Sequence, residues 1–256
     1  MTEKFQLGFS LAKRDIAARY RQTYLGYFWA VLPPLVTSFT FIFLNSISVV
    51  NASSDLTDYP VYIFTGTVFW QMFCDCVNNP IKSILANKSM LTKINFPREA
   101  LLIEAILNTL FSLMIKLVLL LVVFLYFRVS ISAFSFIAIL PIFALFCSGF
   151  VIGTFFVPLG ALYEDVQFGL PLILGIMIFF MPVLYVPPDS GTVALIYSLN
   201  PISVLIVSIR EMLYGNSIDS IYTVSIILSV LLLVFLPLVL KIYNIVLPHL
   251  IERMES

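Results

Sequence analysis

Long apolar runs dominate this chain and limit what it can fold into. The sequence is 61% hydrophobic and 11% charged, with a mean hydropathy of +1.04, whereas an average soluble domain is about 25% charged. Too few charged residues are present to cover a water-exposed surface. The apolar runs have the length of bilayer-crossing helices rather than of barrel strands. We therefore predict an all-α integral membrane protein.

Six of these runs are predicted to be transmembrane helices. The fifth is short and contains Pro171 and Pro182, and the sixth contains Pro237. We expect one membrane domain over residues 1–256, with residues 29–247 as the six-helix region and residues 248–256 as a tail. The predicted spans are Trp29–Val50, Tyr59–Val77, Ala100–Phe127, Phe134–Pro158, Leu170–Val186 and Ile221–Leu247.

Two shorter apolar pieces, Val193–Leu199 and Ile202–Leu213, lie between spans five and six. Each is too short to cross about 30 Å of hydrocarbon. Non-helical backbone between them is tolerated at membrane depth only where protein or a wet cavity satisfies its polar groups. We predict a re-entrant or interfacial helical pair, and a surface amphipathic loop is the alternative.

Residues 1–28 are predicted to form an amphipathic helix at the membrane interface. Apolar residues recur every three or four positions, and Leu7 and Leu11 fall outside that stripe. Two roles fit such a helix: a simple juxtamembrane anchor, or an anchor that also contacts a partner subunit. The segment has five basic residues and no uninterrupted apolar core, so a cleavable signal peptide is not expected. The stripe consists of Phe5, Phe9, Ala12, Ile16 and Tyr20.

The basic residues predict the orientation of the chain. Six spans put both termini on one side of the membrane, and eleven of the fourteen lysines and arginines fall on that side. Cytoplasmic segments carry the excess of basic residues, so both termini are predicted to be cytoplasmic. The longest polar interruption, Lys82–Glu99, contributes Lys82, Lys88, Lys93 and Arg98 to this count.

No catalytic constellation is visible in the sequence. The single histidine, His249, has no nucleophile motif beside it, and no GxxxxGK[ST] phosphate-binding loop occurs. We therefore expect no enzymatic activity, no cofactor and no metal in this chain, and any nucleotide must be bound by another subunit. The three cysteines, Cys74, Cys76 and Cys147, lie in apolar runs and are predicted to be buried apolar residues.

Lys116 is the one basic residue deep within a predicted span. It lies about 22 Å from the cytoplasmic start of span three, at about 1.5 Å per residue. An ion inside the membrane is a functional hypothesis by default. Either Lys116 lines a pore for an anionic substrate, or it is locally hydrated or extends toward the interface. Asp75 is predicted to lie near the cytoplasmic end of span two, at a depth that does not match Lys116.

The chain contains 24 Phe, 12 Tyr and 2 Trp. Most Tyr and Trp gather near predicted interfaces, as an aromatic belt does. An aromatic face turned into a channel would instead offer a stacking platform for sugar rings. The candidate channel residues are Lys116, Tyr62, Trp70 and Tyr185, and for each aromatic residue the belt is the alternative.

Four stretches of the chain match segments of a known membrane family in order and position. They are YLGYFWAVLPPL (Tyr24–Leu35), ANKSMLTKINFPREAL (Ala86–Leu101), LGALYEDVQFGL (Leu159–Leu170) and SLNPISVLIVSIREMLYG (Ser198–Gly215). Together they resemble the membrane subunits of type-2 ABC exporters that move polysaccharides and teichoic acids across the bacterial inner membrane. The third stretch departs from the family, which usually has Arg-Asp where this chain has Glu164-Asp165.

The resemblance implies a homodimer with a wide channel between its two copies, and two copies of a separate ATPase that binds ATP and magnesium. The implied substrate is an undecaprenyl-linked glycan, with O-antigen expected before capsule or teichoic acid. In the re-entrant segment the resemblance marks Asn200, Pro201 and Arg210. The implied ATPase-coupling residues are Arg14, Asp15, Lys93, Phe96, Pro97, Arg98, Glu99, Glu164 and Asp165.

Two other functions compete with glycan export. One is a type-2 permease for small hydrophobic compounds or drugs. The other is a membrane-embedded enzyme of lipid-linked sugar metabolism, which should carry acidic clusters for metal and phosphate that the sequence lacks. An ion-coupled transporter is disfavoured as well, because neither inverted repeats nor midplane acids are apparent.

Overall fold

A computed structural model describes residues 2–21, 26, 28–47, 59–91, 97–129, 133–187, 190–214, 227, 237–241 and 243–245. The regular structure of these residues is entirely helical, as predicted. Two short 3₁₀ helices, Ala133–Ala138 and Ile178–Phe180, accompany the α-helices. The α-helices are α1 (Thr2–Arg21), α2 (Phe28–Ser46), α3 (Tyr59–Ala86), α4 (Lys88–Leu91), α5 (Glu99–Tyr126), α6 (Ile139–Leu162), α7 (Glu164–Met177), α8 (Thr192–Leu199) and α9 (Pro201–Tyr214).

Three stretches of the described chain are long and apolar enough to cross a membrane: α2, α5 and Ser135–Leu162, which contains α6. They correspond to predicted spans one, three and four. Predicted spans two and five fall on α3 and on the 14-residue α7, which do not meet that criterion. Most of predicted span six lies outside the described residues. A helical membrane protein is confirmed, and six spans stay a prediction.

Helix α3 is the centre of the described core. Most of its 28 residues are buried, and it packs most extensively against α6 and α5. Gly149 and Gly153 of α6 form a GxxxG pattern facing α3, where a Cβ at Gly153 would lie only 2.5 Å from the carbonyl oxygen of Val77. Small residues at this spacing let membrane helices approach until their backbones touch. The resulting contact sets the position of α6 against α3.

The polar loop predicted at Lys82–Glu99 is shorter in the structure. Helix α3 continues to Ala86 rather than ending at Val77, and α4 follows at once. Ser83 explains the extension, because its Oγ contacts the carbonyl oxygen of Leu101 on α5 at 2.9 Å. A polar helix end that finds partners on a neighbouring helix has no need to unwind into water.

The short apolar pair between α7 and the C-terminal region is helical, as predicted. Helices α8 and α9 meet at a 90° bend. The Asn200 Oδ1 accepts a hydrogen bond from the backbone N–H of Ile202 at 3.0 Å, and Pro201 occupies the first position of α9. An Asn cap followed by proline is a typical helix start. The re-entrant placement of this pair stays a prediction.

Candidate functional site

Helix α1 packs along α5 with a face that the predicted stripe only partly includes. Leu11 is buried, and a Cβ at Gly8 would lie 2.8 Å from the Ala100 carbonyl oxygen. Phe5 and Phe9 are 55% and 53% exposed. Ala12 of the predicted stripe is buried too, and the membrane contact predicted for Phe5 and Phe9 stays a prediction. The two phenylalanines remain accessible to the bilayer or to a partner.

A polar network joins α1 to the cytoplasmic ends predicted for α3 and α5. Arg14 Nη2 donates to Asn87 Oδ1 at 2.7 Å, and Arg14 forms an ion pair with Asp15 at 2.9 Å. Asn87 Nδ2 and Ser83 Oγ both donate to Oε2 of the fully buried Glu104, at 3.1 and 2.8 Å. Two predicted coupling residues, Arg14 and Asp15, therefore belong to one connected unit with the ends of α3 and α5.

The neighbouring groups of this network influence the ionisation of Asp15 on α1. Partial burial of Asp15 opposes its ionisation, but its hydrogen bonds with Glu104 and Arg14 outweigh that effect and hold its pKa below the ordinary value. The lowered pKa favours the ionised form of Asp15 beside Arg14.

The end of the predicted coupling loop lies next to the same helix. Lys4 Nζ of α1 lies 2.8 Å from Glu99 Oε1, and the Tyr243 hydroxyl donates to the Arg98 carbonyl oxygen at 3.3 Å. Arg98, Glu99 and Pro97 are all half-buried. The structure thus brings Arg98 and Glu99 to the α1–α5 contact. The other two predicted loop residues, Lys93 and Phe96, lie outside the described residues.

Glu164 and Asp165 are exposed in the first turn of α7. Acidic residues at a helix N-terminus are stabilised by the helix dipole, which is sufficient to account for their position. Their predicted role in ATPase coupling stays a prediction.

Lys116 and Asp75 form an ion pair, and the prediction that their depths do not match is wrong. Lys116 Nζ lies 2.8 Å from Asp75 Oδ2, and Ser112 Oγ donates to the same oxygen at 3.0 Å. Because α3 extends to Ala86, Asp75 lies in the interior of the helix rather than near its end. Because helical side chains lean toward the N-terminus of their helix, Lys116 reaches back toward that level.

The three aromatic channel candidates lie close to protein groups. Trp70 is 3% exposed and packs on Phe73, with ring centroids 5.4 Å apart. Tyr62 is buried, and its hydroxyl donates to the Tyr185 carbonyl oxygen at 3.1 Å. Tyr185 is half-buried, and its hydroxyl contacts that of Tyr197. Their role in a channel, like that of Lys116, stays a prediction.

Arg210 of α9 holds the non-helical segment that follows α7. Its two terminal nitrogens donate to the carbonyl oxygens of Pro182 and Val183, and its guanidinium lies 3.8 Å from the Tyr62 ring centroid. The Tyr59 hydroxyl donates to the next carbonyl along the chain at 3.2 Å. Arg210 is 1% exposed. Protein side chains thus donate hydrogen bonds to backbone carbonyl oxygens that lipid tails could not satisfy.

Sequence reasoning missed Glu104, Ser83 and Asn87. Glu104 is the only acidic residue within predicted span three, and this isolation was a usable signal. Ser83 and Asn87 carried no comparable signal, because their importance depends on which helix they face. Within the described ranges, no group of three or more His, Cys, Asp or Glu side chains could hold a metal ion.

The sequence of this chain is similar to the sequences of known transport proteins. A family model described as "ABC-2 type transporter" matches residues 6–214. Two proteins of Klebsiella pneumoniae named "O-antigen export system permease protein RfbA" are similar to the chain: one is 25% and the other 26% identical, each over 84% of this chain and 83% of the relative. A Myxococcus xanthus protein of the same name is 24% identical over 81% of this chain and 80% of the relative.

Proposed function

Because this chain belongs to the ABC-2 type transporter family, we propose that it is the membrane subunit of an ATP-driven exporter of a lipid-linked polysaccharide, with O-antigen as the cargo. The observation that carries the proposal is the similarity to three O-antigen export permeases over at least four-fifths of each chain. The polysaccharide would pass through a channel between two copies of the chain.

The assembly we propose contains two copies of this permease and two copies of a separate ATPase, which binds ATP and magnesium. The glycan is linked to an undecaprenyl carrier in the bacterial inner membrane. The concentration of eleven of fourteen basic residues on one predicted side supports cytoplasmic termini. The ATPase would then meet α1 and the segment that leads into α5.

The packing of α1 supports its role as the element on which the ATPase acts. Contact at Gly8 attaches α1 to α5, and the Arg14–Asn87 hydrogen bond attaches it to the end of α3. A displacement of α1 would therefore move both helices together. For ATP to drive that displacement, the closed ATPase dimer must bind ATP better than the open one.

Deletion and purification test the proposal. A strain lacking this chain should lose surface polysaccharide, and a tagged copy should restore it and copurify with an ATPase encoded beside it. The isolated chain should hydrolyse no ATP. Hydrolysis by the isolated chain, or normal surface polysaccharide in the deletion strain, would contradict the proposal.

Export of small hydrophobic compounds is a second candidate because of a cavity between α5 and α6. The cavity has a volume of about 720 Å³, and most of the residues that line it are Leu, Ile and Phe. That volume falls within the range of about 300–1,000 Å³ typical of ligand pockets. In that case the deletion strain should accumulate hydrophobic dyes while its surface polysaccharide stays normal.

A further inference from the structure

A polar stripe runs along one face of the otherwise apolar core helix α3. Gln71, Asp75 and Asn78 follow one another at the i, i+4, i+7 spacing that places side chains on the same face of a helix. Two cavities of about 600 and 460 Å³ lie against this face. Gln71 lines both, so the cavities adjoin along the stripe.

In the larger cavity the Asp75 carboxylate faces the open space rather than the Lys116 ammonium group, and Arg19 also lines this cavity. The Asp75 side chain is 31% exposed and that of Lys116 is 5% exposed. Lys116 and Ser112 both bind Oδ2 of Asp75, which leaves Oδ1 to accept from a ligand. Trp29 borders the same cavity. Lys116 thus neutralises the Asp75 carboxylate from its buried side. The cavity presents a hydrogen-bond acceptor and an aromatic ring.

The smaller cavity combines the same kinds of group. Thr37, Thr40 and Asn78 supply hydroxyl and amide groups, and Phe41 and Phe179 supply aromatic surface. The Asn78 Nδ2 donates to the Cys74 carbonyl oxygen at 2.8 Å, so its Oδ1 is the atom left to accept. Both cavities therefore combine hydrogen-bonding groups with aromatic rings.

This chemistry discriminates among ligands. A purely apolar chain would leave the amides and hydroxyls without partners. A phosphate would meet Arg19 but also the Asp75 carboxylate in the larger cavity, and no cation among the residues that line the smaller one. A sugar ring offers hydroxyls to the acceptors and an apolar face to the aromatic rings. We propose that Gln71, Asp75 and Asn78 form a sugar-binding track along α3, contacted by the glycan during its export. This inference rests on the proposed export of a polysaccharide.

An exchange of charges tests the role of Asp75. Asp75→Lys combined with Lys116→Asp keeps the ion pair but turns the ammonium group toward the cavity. We expect polysaccharide to reach the surface at least about tenfold more slowly, the loss that corresponds to one charge-assisted hydrogen bond.

Photo-cross-linking supplies a test that does not depend on the folding of the exchange variant. Benzoylphenylalanine replaces Gln71 in cells that make and export their own polysaccharide, and adducts are detected with an antibody to that polysaccharide. The control position is Phe143 in the apolar cavity between α5 and α6. We expect a polysaccharide adduct from position 71 and none from position 143.

The outcomes separate this inference from the function on which it rests. If the wild-type chain with its ATPase exports no polysaccharide, the proposed function fails. If export is normal but position 71 gives no polysaccharide adduct, the track is overturned while the function stands. A stably inserted exchange variant that exports at the wild-type rate would likewise overturn it.

Discussion

Lys116 and Asp75 contribute unequally to their ion pair, and the difference is measurable. The lysine side chain is 5% exposed and the aspartate 31%. Removal of one partner from a buried ion pair costs about 3–5 kcal/mol, and less where the remaining charge reaches water. Asp75→Asn should therefore lower the Tm of the detergent-solubilised protein more than Lys116→Met, because it leaves the more buried charge without its counter-ion.

The double variant is the control for this prediction. With both charges removed, the stability should recover relative to Asp75→Asn alone, since no buried charge remains. Additive losses in the double variant would show that the two residues do not interact. Equal losses from the single variants would contradict the asymmetry.

Asp15 should make stability depend on acid pH. Its hydrogen bonds with Glu104 and Arg14 hold its pKa below the ordinary value. A group with a lowered folded pKa stabilises fully above its unfolded pKa, and that contribution is lost as the pH falls through the folded pKa. Thermal unfolding between pH 7 and pH 3 should show a loss below about pH 4 that Asp15→Asn reduces. An unchanged pH profile in that variant would contradict the assignment.

At the scale of elements, the α3–α6 contact should be the most sensitive to added volume. A Cβ at Gly153 would lie 2.5 Å from the Val77 carbonyl oxygen, so Gly153→Ala forces two backbones apart. Overpacking of this kind typically costs about 1–3 kcal/mol. We expect a lower Tm for Gly153→Ala. The matched control is Gly175→Ala on α7, where a Cβ would meet nothing within 4 Å; similar losses from both variants would contradict the contact.

The segment entering α5 should transmit the action of the ATPase. Arg98 is half-buried next to the α1–α5 contact. Charge reversal in Arg98→Glu should lower surface polysaccharide while the amount of membrane-inserted protein stays normal. Lys82→Glu makes the same charge reversal at an exposed position on the same predicted side of the membrane. It therefore controls for the possibility that the basic residues act only as a topology signal. Equal export by both variants and wild type would assign no coupling role to Arg98.

Helix α1 illustrates how periodicity can identify an element but not its packed face. The three- and four-residue spacing predicted a helix, and the helix is present over Thr2–Arg21. The same pattern placed Phe5, Phe9 and Ala12 on one apolar face and left out Leu11 and Gly8, yet Leu11 and Gly8 pack against the protein as closely as Ala12 does. Periodicity records which residues are apolar. Only the shape of the neighbouring helix decides which of them are buried.

At the scale of the whole molecule, the charge distribution predicts one orientation. Both termini should be cytoplasmic and the region of Arg128 external. A green fluorescent protein fused after Ser256 should fluoresce, and alkaline phosphatase fused after Arg128 should be active. The reverse pattern would contradict the orientation and would move α1 away from a cytoplasmic ATPase.

The sequence by itself determined the helical membrane class, the family resemblance and the helical pair that meets at Asn200. These follow from the amount and spacing of apolar residues and from local capping chemistry, which neighbouring residues in the chain specify. The tertiary structure alone decided that Lys116 pairs with Asp75, that Asn87 joins Arg14 of α1 to Glu104 of α5, and that Arg210 binds the carbonyls after α7. Each depends on the axial register and rotation of one helix against another. Side-chain contacts between segments far apart in the chain set that register and rotation.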